Sequence, residues 1–220
     1  MKKILSFQIL IVMFAIVFFI PNAFALGLGF YGSLGSGKGD WEIDPDSGTD
    51  YEVDTENKHR SFGFVLDTAV AKDKVFNYRL QVGLDRWEEE FTKTGDKFEM
   101  DGFVVEHDFG FGVVRRENFR LWLGPELRIE YGEGIYNDDT DLEATFFGIG
   151  VGPVIGVNFN FGEIFTFGLK SGFLFEGYGG TGRDQLDSES YTIRSRQLFI
   201  NAAIIFRIND TYKKGRPTTP

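Results

Sequence analysis

Two histidines and 33 carboxylates are the chain's stock of acids, bases and hard metal ligands, so their spacing decides what chemistry is open to it. Glu106 and Asp108 flank His107. Neighbours on an extended strand point to opposite faces, so neither acid reaches the ring as a general base's partner must. His107 reads as an interface histidine, and His59 stands at a loop–strand junction. Asp44, Asp46 and Asp50 lie around Pro45, Ser47 and Gly48. A calcium loop needs a third oxygen ligand before its glycine and a Glu six residues after it, and neither is in register. The three aspartates are weak divalent-cation candidates, with no dedicated metal site expected. Residues 32–39 fit G-x-x-x-x-G-K, but Gly39 replaces the Mg²⁺-holding Ser or Thr and no helix pattern follows to present amides to phosphate. Absence of Cys excludes disulfides and thiolate ligands. No catalytic residue and no cofactor is expected.

The other charges follow a different pattern, set by residues 145–161. Phe147, Ile149, Val151, Pro153, Ile155, Val157, Phe159 and Phe161 alternate with Gly148, Gly150, Gly152, Val154, Gly156, Asn158 and Asn160. Period two over this length predicts a strand. One face is continuously apolar and the other small or polar, as in a strand between lipid and a polar lumen. The same alternation recurs at 26–36, 61–71, 76–85, 103–114, 119–131, 165–178 and 197–208. The prediction is an all-β fold, an eight-stranded antiparallel up-and-down transmembrane β-barrel. A barrel of this size is filled by its own side chains. The inward parity holds Asp67, Arg79, Asp85, Glu106, Asp108, Arg120, Glu126, Arg128, Glu130, Lys170, Glu176 and Arg207. Buried charges must pair or stay hydrated. Arg79, Arg128, Lys170 and Arg207 are therefore expected to pair with inward acids in a salt-bridged plug, with the inward glycines making room.

Connections alternate in length. Short ones lie at 72–75, 115–118 and 162–164, and longer ones at 37–60, 86–102, 132–144 and 179–196. An even strand number puts both termini beside the short turns, so the long, acidic loops face outward. In the first loop Trp41, Ile43, Tyr51 and Val53 alternate with acids around the turn residues 45–48. This predicts a hairpin continuing beyond the bilayer, and 86–101 a second one. Together they would present an acidic sheet edge able to capture a surface protein by strand addition. Pro125 and Pro153 fall inside strands. They are expected at bulges, with a lateral opening towards lipid as the alternative.

Lys2, Lys3, an apolar run and Ala23-Phe24-Ala25 read as a secretory signal peptide over 1–25. The barrel then covers 26–208, and 209–220 form a short periplasmic tail. Without the two signal lysines, the 23 basic and 33 acidic residues leave a balance of −12, which argues against nucleic acid as a partner.

On these strands the chain resembles the small eight-stranded outer-membrane proteins of the OmpA-barrel and OmpX/Ail type. Asn201, Ala203, Phe206 and Ile208 in the last strand are similar to the polar-x-Gly-x-x-aromatic-x-hydrophobic assembly signal of such barrels, with Ala203 in place of Gly. The resemblance implies location in the bacterial outer membrane. It implies contact with outer-membrane lipid and lipopolysaccharide, and recognition by the barrel-assembly machinery. Two function classes stay open: a non-catalytic surface or structural protein, and a narrow channel or transporter for small or hydrophobic solutes of the OmpW type. A lipid A-modifying enzyme is a third, although the His-x-Ser of such deacylases is replaced by His107-Asp108-Phe109.

Overall fold

The computed structural model describes residues 26–45, 51–68, 75–136, 143–162, 164–183 and 188–208. They form eight strands: β1 (Gly27–Pro45), β2 (Tyr51–Asp67), β3 (Phe76–Phe91), β4 (Lys97–Arg115), β5 (Phe119–Tyr136), β6 (Glu143–Phe161), β7 (Phe165–Arg183) and β8 (Ser188–Arg207). Each pairs antiparallel with its sequence neighbours, and β8 pairs with β1 to close the ring. The signal-peptide and tail segments, Asp46 and Asp50 lie outside the described residues; Asp44 is exposed at the end of β1.

One walk around the wall shows how the barrel is wound. Stepping from Ile200 through Leu34, Arg60, Arg86, Asp101, Glu133, Thr145 and Thr181 returns to β8 at Ser190, ten residues from the start. A stagger of ten over eight strands tilts them by about 40°. The 19 residues of β1 then rise about 45–50 Å, against an apolar band of about 25 Å in a membrane barrel.

The extra height corrects the predicted loops. Most of 37–60, 86–102, 132–144 and 179–196 is strand, and the connections at that end shrink to the segments between the strands above. The two predicted hairpins are present, as β1–β2 and β3–β4, the latter turned by Gly95 at φ 77°. They do not form a free edge, because β1 is paired with β2 and with β8 as far as Ile43 and Pro45. Among the described residues of these hairpins, the exposed edge is confined to residues 51–53 of β2, above its first β3 partner.

Apart from the end of β4, where the register shifts between Gly112 and Val114, parity is kept along each strand, but polarity is not. Near the termini the outward residues are large and apolar: Leu28, Phe30 and Leu34 on β1, Phe62 and Phe64 on β2, Leu198, Ile200, Ile204 and Phe206 on β8. Inward lie Arg79, Glu106, Asp108, Lys170 and Asn201. Towards the other end the outward residues become Lys38, Glu42, Glu52, Glu56, Lys58, Arg86, Glu99 and Arg194, and the inward ones become Trp41, Ile43, Trp87, Phe91, Phe98, Phe146, Tyr191 and Ile193. The outward apolar girdle and polar interior of the first half make the barrel a transmembrane one.

Pro125 and Pro153 are not at bulges. They face each other in a β5–β6 register that is unbroken from Phe119↔Phe159 to Ile135↔Glu143. The gaps fall on the other sides, between Asp108↔Glu126 and Phe111↔Leu123 with β4, and between Val151↔Phe175 and Val154↔Gly172 with β7. In an antiparallel ladder, residues of a non-hydrogen-bonded pair turn N–H and C=O away from each other. The missing N–H of Pro125 therefore belongs to the β4 ladder and that of Pro153 to the β7 ladder. The one register shift nearby is in β4, between Gly112 and Val114.

Candidate functional site

The lumen is built in three tiers, each set by which side chains the inward parity delivers. At the terminal end Arg79 donates to Asp67 through Nε at 3.0 Å and NH2 at 2.8 Å, and to Asn158 Oδ1 at 3.0 Å. Its guanidinium lies 5.2 Å from the Trp122 ring centre. Arg120 donates to Asn77 Oδ1 at 3.2 Å, and Arg207 to the Thr166 hydroxyl at 3.1 Å. Gly156 leaves room for Trp122, since a Cβ there would lie 2.2 Å from the indole.

The middle tier holds two cations among six acids. Lys170 Nζ reaches Glu126 at 2.8 Å, Glu106 at 2.9 Å and Asp108 at 3.0 Å. Arg128 reaches Asp85 and Glu106 at 3.2 Å each, Glu176 at 3.6 Å, and Glu130 in direct contact. Glu106 joins the two clusters. Neutral donors share the remaining charge: Tyr178 Oη to Glu130, Ser195 Oγ to Glu176 at 3.0 Å and Gln197 Nε2 to Glu176 at 2.7 Å. Gly148 makes way for the Tyr178 ring. In a low-dielectric interior such charges persist only with partners of this quality. The structure therefore places the predicted lumen residues inside, Asp67, Arg79, Arg120 and Arg207 in the terminal tier and the other eight in the middle one.

Sequence reasoning missed His59. It is fully inside the barrel, stacked on Trp87 at 5.1 Å, with Nδ1 3.2 Å from Asp85 Oδ2. Its odd-numbered parity with Ser61, Gly63 and Asp67 was the available signal. Ser61 Oγ donates to the same carboxylate at 2.7 Å. Serine and histidine thus both lie on the aspartate and not on each other, so the imidazole is not placed to take the serine proton. His59, Asp85 and Glu130 also have ligand atoms within 4.8 Å of one another, the spacing of a metal site. The Arg128 guanidinium already contacts all three. His107, as expected, faces outward, its Nδ1 2.7 Å from the Tyr78 hydroxyl.

The upper tier is an apolar cap of Trp41, Ile43, Trp87, Phe91, Phe98, Met100, Ala144, Phe146, Tyr178, Tyr191 and Ile193. Trp41 is its hub, with Phe91, Phe98, Phe146 and Tyr191 rings 5.2–5.7 Å away. Glu89 is the acid placed in this tier, taking a hydrogen bond from Trp87 Nε1 at 3.0 Å. It lies beyond Leu84, the last exposed apolar residue of β3, and so outside the membrane band. Burial pushes its carboxyl up to about 7. Of the assembly-signal residues, Asn201 and Ala203 point inward and Phe206 and Ile208 outward, on the strand that closes the ring.

No protein-family model matches the chain, and neither does any curated protein sequence. Among solved structures the chain is similar to Neisserial surface protein A, at 11% identity over 81% of this chain and 97% of that one, with a TM-score of 0.35. It is similar to the outer membrane protease OmpT of Escherichia coli, at 9% identity over 84% and 97%, TM-score 0.37. It is similar also to Ail, the attachment invasion locus protein of Yersinia pestis, at 11% identity over 81% and 98%, TM-score 0.30. By its own strand order, closure and outward apolar girdle, the chain is an eight-stranded up-and-down transmembrane β-barrel, the fold of the small outer-membrane barrels.

Proposed function

We propose that the protein is an integral outer-membrane barrel with a non-catalytic surface or structural role. The observation that carries this reading is the filled lumen, in which two ion clusters in the membrane half lie beneath an apolar cap. A conduit needs a continuous wet path, and Trp41, Trp87, Phe98 and Phe146 fill the cross-section where such a path would leave the barrel. The tall end then stands in water outside the cell and displays Asp40, Glu42, Glu52, Asp54, Glu56, Glu90 and Glu99. Outer-membrane lipid and lipopolysaccharide surround the girdle. The β8 end with Asn201, Ala203, Phe206 and Ile208 is the part read by the assembly machinery. A surface partner joining by strand addition has residues 51–53 of β2 to use.

The protein should fractionate with outer membranes and migrate differently on SDS gels before and after boiling. In planar bilayers it should give no stable conductance steps. Reproducible channels would replace this reading with transport, and recovery in the soluble periplasm would overturn the membrane location.

A further inference from the structure

Among the described residues eight carboxylates are buried in the lumen, and seven of them have a cation. Asp67 has Arg79. Glu106, Asp108 and Glu126 have Lys170, and Asp85, Glu130 and Glu176 have Arg128. Glu89 is the eighth, fully buried, and makes no ion pair among the described residues. Its Oε1 takes the Trp87 indole hydrogen bond, and its Oε2 has no partner. A buried carboxylate held by one neutral donor is far less well satisfied than its seven neighbours.

Two side chains of β2 stand beside it on the inner face. Asn57 is the register partner of Glu89, and Thr55 is the next inward residue towards the cap. Both lie close enough to act on the Glu89 carboxyl. Yet Asn57 Oδ1 and Nδ2 and Thr55 Oγ1 make no hydrogen bond within the protein's own packing. Asn57 and Thr55 are each 1% exposed, so bulk water does not serve them. Buried polar atoms left unpaired are costly, and here they gather around one carboxylate. On the β1 side, Gly37 and Gly39 are the register partners of Asn57 and Thr55. They share the inward parity of Ser33 and Trp41, so β1 lays no side chain over these oxygens. The next inward residues, Trp41 on β1 and Phe91 on β3, belong to the apolar cap and close the cluster from above.

We infer that Glu89, Asn57 and Thr55 bind a small monovalent cation, with Na⁺ as the natural candidate, through Glu89 Oε2, Asn57 Oδ1 and Thr55 Oγ1. The donor set selects this occupant. All three atoms are hard oxygens, which suit alkali and alkaline-earth ions rather than the metals that prefer imidazole or thiolate. One carboxylate brings one negative charge, which a monovalent ion neutralises; a divalent ion would leave a net positive charge on the cluster, away from water. The rings of the cap stand where the carbon body of an organic ammonium would have to go. A water would bridge the oxygens but leave the charge unpaired. A proton on Oε2 would remove the charge but serve only one of the other two oxygens. A bare ion does both. The site lies outside the membrane band, and the inference holds whether or not the barrel conducts.

The test is urea unfolding of the refolded full-length protein at pH 8, above the Glu89 value of about 7, so that protons do not compete with the ion. NaCl replaces choline chloride at constant ionic strength, and CaCl₂ is titrated in a parallel series. An ion bound only by the folded state stabilises it by mass action. Past half-saturation, each tenfold rise in Na⁺ should therefore raise the folded-to-unfolded ratio about tenfold. Glu89→Gln should show no Na⁺ response. It should be the more stable protein in choline, with Na⁺ closing the gap. Thr55→Val keeps the shape, removes one oxygen and should need a higher Na⁺ concentration for the same effect. In crystals of the wild-type protein grown with thallium(I) acetate, an anomalous peak should stand between the three oxygens. If Glu89→Gln does not refold, Thr55→Val and the thallium peak decide. No Na⁺ response in the wild type, an equal response in Glu89→Gln, or an unchanged half-effect concentration in Thr55→Val would each overturn the inference. So would a half-effect at less Ca²⁺ than Na⁺, or a thallium map without that peak.

Discussion

The terminal half of the barrel and its tall half are made by the same eight strands with opposite polarity. On β8, Ile204, Ile200 and Leu198 face out while Asn201 and Gln197 face in; a few residues earlier Arg196, Arg194 and Thr192 face out while Ile193 and Tyr191 face in. Nothing in the backbone changes at that point, and the β1–β8 register is constant from Gly27↔Arg207 to Pro45↔Glu189. What changes is the solvent. In hydrocarbon the outer face must be apolar, and the polar groups retreat inside, where they must satisfy each other. In water the ordinary burial of apolar surface applies, and the interior becomes a core of rings. The lesson is that strand parity sets which residues share a face, and the surroundings set which face is greasy.

The comparison can be broken from either half. The largest effects should come from the hubs. Arg128→Ala leaves Asp85, Glu106 and Glu130 without their shared cation and should cost about 3–5 kcal/mol. Trp41→Ala empties the centre of the cap and should cost a similar 3–5 kcal/mol by a different mechanism, lost packing. Denaturant unfolding of the refolded barrel measures both. An unchanged midpoint for Arg128→Ala would remove it from the network. Next come the outer faces of one strand, β6. Ile155→Arg, near the middle of the girdle, should cost about 2–4 kcal/mol. Thr145→Arg, one turn of the pleat beyond the girdle, should stay within about 0.5 kcal/mol of wild type. Equal costs would mean that both positions see the same medium.

Glu89 sharpens the contrast through pH. Its folded value of about 7 lies above the ordinary 4.5, so on acidification the folded state takes the proton first. The contribution of Glu89 to stability should therefore rise as pH falls from about 7 to about 4.5 and be level on either side, with a total gain of about 3 kcal/mol. Glu89→Gln should abolish this slope and be more stable than wild type at pH 8. A slope that survives would assign the titration to another group. The smallest effect is expected on the outer face of the tall half. Arg86 binds Asp101 with two hydrogen bonds of 2.8 and 3.0 Å, the same chemistry as Arg79 and Asp67, but both partners are largely exposed. Arg86→Ala should leave the unfolding midpoint almost unchanged, whereas Arg79→Ala leaves a fully buried carboxylate and should lower it clearly.

Much of the membrane half was legible in the sequence. Charges such as Arg79, Arg128 and Lys170 stand at the parity opposite Phe and Leu, so their meeting in the lumen follows from period two and closure alone. The tall half was harder to read, because the apolar set changes parity. On β1 it passes from Leu28, Phe30 and Leu34 to Trp41 and Ile43, and a reader following one greasy face sees the strand stop. The hairpin alternation around 39–55 was visible, but not that its aromatic rings turn inward to make a cap. His59 was hidden for the same reason, lying above the point where β2 was taken to begin. The prolines were misread as bulges because a sequence does not say which neighbour a given N–H faces.

The switch of polarity along a single strand is the central claim, and the absence of native cysteine makes it directly measurable. Single cysteines at outward positions 204, 200, 198, 196, 194, 192 and 190 of β8, each spin-labelled in lipid vesicles, report contact with lipid through oxygen and with water through a nickel chelate. The account predicts lipid contact at 204, 200 and 198, water contact at 194, 192 and 190, and the step at 196. Uniform lipid contact along the strand, or water contact at 204 and 200, would contradict it.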